Sequence, residues 1–445
     1  MRNAQSAQER IAGMAEGERS LHPDKAGAGT TLEENVAFAL ANRPSMQEAR
    51  LDVEDARLAL KQLSADAPLA SATPWNSFSA DATLGHSESS ASAHFDHLKS
   101  KTSGKASFSL SLDVLLWDFG RNNAAVRAQC ERVLASELNL VKSGFDVFEE
   151  VSQAYFTRLQ SDAILSVAIT NRAMRSEHLA RAEERLDAGE AQRLDVLRAR
   201  LDLAEADEAV VAATNDVVTS TARLAASLGL EASSAPDLPG ALSLEDAVRA
   251  FSSTYSTSKE LFDFARTNSP AMKIARARLR AASADVDEAV ANLMPRISAT
   301  LGLNWTDPLW YWRWGFSAAQ NLFSGFSHLT AVDRAVVAMD KAAAALETAE
   351  LQLSLDIELA VAERDNAREA LASAEASVIS AKDNLDTVQE EFSIGDASRV
   401  EYSEATADYA TALSNRVKAF YRGQLAEAAL FNLAGVVPEY MQESK

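Results

Sequence analysis

The chain is poor in the residues that break or staple a fold. It has one cysteine, Cys130, so no intrachain disulfide and no thiolate metal cage can form. Cys130 lies in a helical pattern and is expected to be a buried, inert thiol. No cysteine stands near the N-terminus, so a lipidated form is not expected. Proline is absent from Asn122 to Leu186, where the only glycine is Gly144. No run of 18 apolar residues occurs, which excludes a transmembrane helix. Basic residues are the minority, 43 against 64 acidic, for a net charge of −21. Such a balance excludes nucleic acid as a partner, because phosphate binding needs clustered Lys and Arg. Nucleophile elbow, phosphate loop, HExxH and CxxC motifs are all missing, so neither an enzyme nor a cofactor or metal site is expected. His94-Phe95-Asp96-His97, with His86, reads as a polar surface loop, not a metal site. Met1–Thr30 is polar, lacks the apolar h-region of a signal peptide, and is expected to be disordered through Gly29. Three accounts of that start stay open: a mature or trimmed form, a start inside a longer precursor, or a cytoplasmic protein.

What the chain does have is a repeat. Gly189-Glu190-Ala191-Gln192-Arg193-Leu194-Asp195 is echoed by Gly395-Asp396-Ala397-Ser398-Arg399-Val400-Glu401, an offset of 395 − 189 = 206. Leu228-Gly229 and Ala434-Gly435 share that offset. Upstream, Ala41-Asn42-Arg43-Pro44-Ser45-Met46 matches Thr267-Asn268-Ser269-Pro270-Ala271-Met272 at 268 − 42 = 226. An offset that jumps once means two copies of one unit, the first carrying an insertion between Lys61 and Trp117. The predicted organisation is a disordered segment 1–30, a first repeat 31–230, a linker 231–258, a second repeat 259–437 and a tail 438–445.

Most of each copy reads as long helix. Between Arg364 and Phe392, Ala367, Ala374, Ala381 and Val388 recur every seven residues. Leu371, Val378, Leu385 and Phe392 recur four places later, which makes a heptad with small and large positions alternating. The equivalent stretch of copy one is interrupted by Arg172 and Arg175. At 1.5 Å per residue, a helix of ~65 residues reaches ~100 Å, too long for a compact domain. Each long helix meets a glycine, Gly189 or Gly395, and a second helix follows, so each copy ends in a helical hairpin.

Period-two segments interrupt the helices. Ile297, Ala299, Leu301, Leu303 and Trp305 alternate with small polar residues, as do Trp310, Trp312, Trp314, Phe316 and Ala318. In copy one, Phe78, Ala80, Ala82 and Leu84 alternate, and so do Phe108, Leu110, Leu112 and Val114. These are strands of about ten residues. Pro68, Pro74 and Pro295 mark the switches from helix. Trp75, Trp305, Trp310, Trp312 and Trp314 lie in or beside the strands, and Trp117 ends one. A ladder of Trp facing water needs a partner surface of equal size. An aromatic belt at a lipid interface accounts for it better. Ser87–Gly104 reads as a long loop between the first two strands.

This order resembles the TolC-type outer-membrane channel family over about Thr31 to Val437. The marks are Leu116-Trp117-Asp118-Phe119-Gly120-Arg121, the turn Arg185–Gly189 with Asp195–Ala199, and the turn Phe392–Gly395 with Glu401–Ala405. The resemblance implies a mainly α fold with a small β part, in a homotrimer. Three chains share one twelve-stranded transmembrane β-barrel in outer-membrane lipid, continued by a periplasmic α-barrel of coiled-coil helices. It implies passive exit for substrates delivered by an inner-membrane ABC or proton-driven transporter through a periplasmic adaptor (membrane fusion) protein, in type I protein secretion or multidrug efflux. Physics supports the oligomer independently: four strands cannot close a barrel, and an open edge cannot sit in lipid.

The family also implies where the gate is. Glu401 and Glu404 match its ring of entrance acids, and the i, i+3 spacing puts them on one helix face. Asp195 matches the acid that helps hold the closed state. Its usual arginine partner falls at Ala397 here, a departure that leaves Arg193 or Arg399 to latch the gate. Phe392 stands where the family carries a tyrosine. The turns at Gly189 and Gly395 are expected to face the adaptor. A soluble coiled-coil scaffold is the competing reading. The missing signal peptide favours it, and the Trp-bearing strands oppose it.

Overall fold

The computed structural model describes residues 31–65, 77–87, 103–189, 192–231, 258–306, 309–320, 326–394 and 396–436. The expected disordered N-terminus, most of the linker 231–258, the tail, Trp75, His94, His97 and Gly395 lie outside the described residues, as does residue 88–102 of the predicted loop. Ser87, Ser103 and Gly104, placed in that loop by sequence, belong to strands.

Among the described residues, twelve elements form two matching series. The first series is α1 (Leu32–Asn42), α2 (Pro44–Ala65), β1 (Ser77–Ser87), β2 (Ser103–Trp117), α3 (Arg121–Asp187) and α4 (Arg193–Ser227). The second is α5 (Ser258–Asn268), α6 (Pro270–Ala291), β3 (Arg296–Thr306), β4 (Leu309–Ala319), α7 (Ser327–Ile394) and α8 (Arg399–Ala434). Paired helices have nearly equal lengths: 11 and 11, 22 and 22, 67 and 68, 35 and 36 residues. The fold is mainly α with a small β part, as the sequence predicts.

Two compact units form. One takes the described residues up to Glu48, from Leu140 to Pro270 and from Glu350 onward. Its main core joins Val36 and Phe38 of α1 to Val147, Phe148, Val151, Tyr155 and Phe156 of α3, Leu224 and Leu228 at the end of α4, and Phe431 of α8. Thr31 starts α1 with a reciprocal cap: its hydroxyl accepts the Glu34 N–H, and the Glu34 carboxylate accepts the Thr31 N–H. Both second helices of the hairpins end on a left-handed glycine, Gly229 at φ +76° and Gly435 at φ +66°. A methyl group at Gly435 would lie 2.9 Å from Ser269 Cα, whereas one at Gly229 would meet nothing closer than 3.6 Å.

Along α7 the heptad decides what is covered. Ala367, Ala374 and Leu385 are buried, and Leu371, Val378, Ala381, Val388 and Phe392 are half-buried. Nearly every residue between them is exposed. Alanine at alternate heptad positions lets a neighbouring helix approach closely.

The other unit takes residues 49–139 and 271–349. Its strands form one antiparallel sheet in the order β1-β2-β3-β4, so β1 and β4 are the outer strands. Alternation places Phe108, Leu110, Leu112, Leu301, Leu303, Trp312 and Trp314 on one face and Ser109, Ser111, Asp113, Thr300 and Arg313 on the other. The polar face is tied across strands by Thr300 to Asp113 (2.6 Å) and Ser298 to Ser317 (2.8 Å). Register slips by one residue between Leu115 and Trp117, a bulge where the strand ends. The chain then turns through Phe119 (φ +57°) and Gly120 (φ +86°). Asp118 caps the helix that follows, accepting the N–H groups of Gly120 (3.1 Å) and Asn122 (2.8 Å). The Trp-Asp-Phe-Gly motif is therefore a strand-to-helix corner.

In the same unit, Arg132 to Asp285 (2.7 Å), Arg127 to Asp287 (2.9 Å) and Arg280 to Glu131 (2.8 Å) join α3 to α6. Each is surface-exposed and contributes little alone. Cys130 is exposed, which corrects the sequence reading of a buried thiol. It takes an exposed position of α3 directly after the buried Ala128 and Gln129. No described helix is long and apolar enough to cross a membrane. No described group of His, Cys, Asp and Glu could hold a metal ion.

Candidate functional site

The hairpin ends bring together residues from four helices. α3 leads into a turn at Gly189, whose φ of +76° only glycine adopts freely and whose N–H reaches the Leu186 carbonyl at 2.9 Å. α4 starts two residues after Ala191. Asp195, at its third position, accepts the Gln192 N–H (3.1 Å). α8 starts the same way one repeat later. Glu401 accepts the Ser398 N–H (2.6 Å), and the Ser398 hydroxyl accepts the Glu401 N–H (3.3 Å). The backbone hydrogen bond from Ser398, then its hydroxyl, hold the Glu401 carboxyl below its ordinary value of 4.5. The cap's contribution is therefore present above about pH 4.5 and is lost as the acid side is entered. Glu404 is exposed one turn further along α8.

Asp195 faces a cation from the other hairpin. Arg399 Nε lies 3.7 Å from Asp195 Oδ1, and Arg399 Nη1 donates to Asp202 Oδ2 at 3.4 Å. Asp202 also accepts the Ser403 hydroxyl (3.2 Å). Arg175 of α3 is 8% exposed. It donates to the Ser403 hydroxyl (2.6 Å) and carbonyl (2.9 Å) and lies 3.6 Å from Asp202. Two guanidiniums, two carboxylates and a hydroxyl thus tie α3 and α4 to α8. Buried Arg175 has its charge offset by Asp202 and its donors taken up by Ser403, the condition for tolerating a charge there. Arg193, the repeat equivalent of Arg399, is exposed and forms no ion pair among the described residues. Ala397 stays in the turn, its N–H on the Glu391 carbonyl (3.3 Å).

Beneath these charges lies an aromatic stack. His178 of α3 is 4% exposed. Its ring stacks on Tyr402 of α8 at 5.0 Å and lies 5.6 Å from Phe392 of α7. Phe392 stacks on Tyr402 at 5.3 Å, with the Arg185 guanidinium 5.6 Å from its ring. Met174, Leu385, Val388, Ala405 and Tyr409 complete the cluster. The sequence reading missed His178, Asp202, Ser403 and Tyr402, and gave Arg175 no partner. One signal was present: Arg172 and Arg175 break the heptad of α3 where a cross-hairpin contact is made.

The sheet forms a second, separate surface in the other unit. Trp312 and Trp314 are 71% and 74% exposed, Phe316 and Trp310 are exposed beside them, and Trp305 is half-buried against Trp310 at 6.1 Å. An aromatic face of this extent left open to solvent is unusual for a surface bathed in water.

The outer membrane efflux protein family matches residues 36–230 and again 249–436. No match among curated proteins was found. Among solved structures, a membrane protein from Pseudomonas aeruginosa is 23% identical, with a TM-score of 0.78 over 93% of this chain and 92% of that one. The outer membrane protein VceC of Vibrio cholerae is 18% identical, with a TM-score of 0.74 over 91% of this chain and 96% of that one. The open state of the Neisseria gonorrhoeae MtrE outer membrane channel is 18% identical, with a TM-score of 0.73 over 91% and 89%. With both series of elements matched, the chain belongs to the outer membrane efflux protein family.

Proposed function

We propose that three copies of this chain form an outer-membrane exit duct for substrates that an inner-membrane transporter delivers through a periplasmic adaptor. The observation that carries this reading is the open aromatic face of a four-stranded sheet whose outer strands, among the described residues, are each paired along one edge only. Hydrocarbon accepts that face, and pairing β1 of one copy with β4 of the next removes the edges lipid would reject. Three copies supply twelve strands, and a cyclic trimer closes the set. The polar face, rich in Ser, Thr and Gly, then lines a wet lumen. A second apolar seam on α4, exposed at Leu194, Leu201, Val211 and Val218, is suited to helix contact with a neighbouring copy.

In this reading the hairpin ends form the periplasmic gate. Arg399, with Asp195 and Asp202, latches one hairpin to the other. Glu401 and Glu404, repeated three times about one axis, line an anionic entrance that favours cations. The turns at Gly189 and Gly395 face the adaptor. Cargo passes passively, by type I secretion or multidrug efflux, and no catalysis is involved.

Fractionation tests the reading. The protein should pellet with the outer membrane, require detergent for release, and elute as a particle of three chains. Recovery as a monomer in the detergent-free supernatant would establish the soluble scaffold instead.

A further inference from the structure

We propose that the hairpin latch is released by acid, with protonation of His178 as the trigger. This rests on the latch reading of Arg399, and the experiment below separates the two. His178 sits across the seam between the hairpins: carried by α3, it stacks on Tyr402 of α8 and meets Phe392 of α7. Every element packed on it contributes to its surroundings. α3 itself brings Arg175 and Arg181, α4 brings Asp202, and α8 brings Arg399 and the Tyr402 phenol. α7 brings the Phe392 ring, with Arg185 of α3 on that ring. Cations outnumber anions around a ring that water scarcely reaches.

Burial, then Arg399, push the imidazole below its ordinary 6.5; Asp202 opposes them, and Arg175 and Arg181 add to the lowering. The closed arrangement therefore holds neutral His178. An arrangement in which the hairpins part returns the ring to water and binds the proton more tightly. The sign follows: above about pH 6.5 the latch is fully favoured, and as pH falls below 6.5 the proton draws the equilibrium toward the parted state. Each unit separating the two affinities is worth about tenfold in that equilibrium. A window from about pH 7.5 to 5.5 spans the ordinary titration of an imidazole.

The test is conductance of the full chain in planar bilayers at the two ends of that window. The wild type should conduct severalfold more at the acid end. His178→Phe keeps a stacking ring without a titrating nitrogen, and its acid-to-neutral ratio should fall to about one. A flat wild-type ratio, or an undiminished ratio in His178→Phe, overturns the proposal. Arg399→Ala at neutral pH should already conduct strongly. If it stays closed, the latch reading fails, whatever the pH response. Hydrogen exchange on the wild type covers the case of a variant that does not assemble. Protection around His178 in α3 and Tyr402 in α8 should drop on acidification relative to the Val147–Phe156 core. Equal protection at both pH values, after correction for intrinsic exchange, overturns the proposal equally.

Discussion

The first and second hairpins have nearly equal helix lengths, and an acid three residues on closes the start of each second helix, yet their ends are built differently. At the first, Ala182, Val196 and Ala199 pack with Leu179 and Leu186, an all-aliphatic seam. At the second, the repeat equivalents of Val196 and Leu186 are Tyr402 and Phe392, and they stack with His178 borrowed from the first hairpin. Arg193 is exposed; its equivalent Arg399 lies between two aspartates. Asp202 accepts bonds from Arg399 and Ser403, while its equivalent Asp408 is exposed. Duplication supplied two equal frames. Divergence made one hairpin the holder and the other the held part.

Three substitution pairs probe that difference. The first contrast is between Tyr402→Ala and Val196→Ala. Removing the buried ring should lower local opening free energy at the second hairpin end by about 3 kcal/mol, against about 1–2 kcal/mol at the first. Hydrogen exchange at the two ends measures both, and equal losses would erase the asymmetry. Next come the glycines that end α4 and α8. Gly435→Ala adds a left-handed penalty to a backbone clash and should cost about 2–4 kcal/mol, whereas Gly229→Ala should cost about 1 kcal/mol. Thermal unfolding of the two variants ranks them, and a Gly229→Ala melting point equal to or below that of Gly435→Ala contradicts the contact geometry. The smallest effect concerns the entrance acids. Glu401→Gln with Glu404→Gln should weaken cation preference in reversal-potential measurements while leaving assembly intact. Unchanged selectivity would remove both from the entrance ring.

Sequence periodicity carried the helices, the strands and the sheet faces, because burial of one face imposes 3.5- or 2-residue spacing on the chain itself. Ala367 through Phe392 could be placed in a seam this way, and Trp312 and Trp314 on one sheet face. Asp195 and Arg399 were legible as members of a latch only through resemblance, and nothing in the spacing chose Arg399 over Arg193. His178 carried no signal at all: a lone histidine in a helical pattern looks the same whether it is stacked or solvated. Cys130 shows the opposite failure, a residue type that usually hides and here does not.

What the chain determined by itself is local and repetitive: two copies, the length of each helix, the caps at Asp195 and Glu401, the corner at Asp118, and which side of each strand is greasy. Those features depend on neighbours within about one turn, and the repeat states them twice. Which of two equivalent arginines meets an aspartate, and which histidine is shut away from water, was decided only when residues more than 190 positions apart came within 4 Å, as Arg399 and Asp202 do. The residues that both halves share cannot encode a difference between them; the packing of one hairpin against the other does.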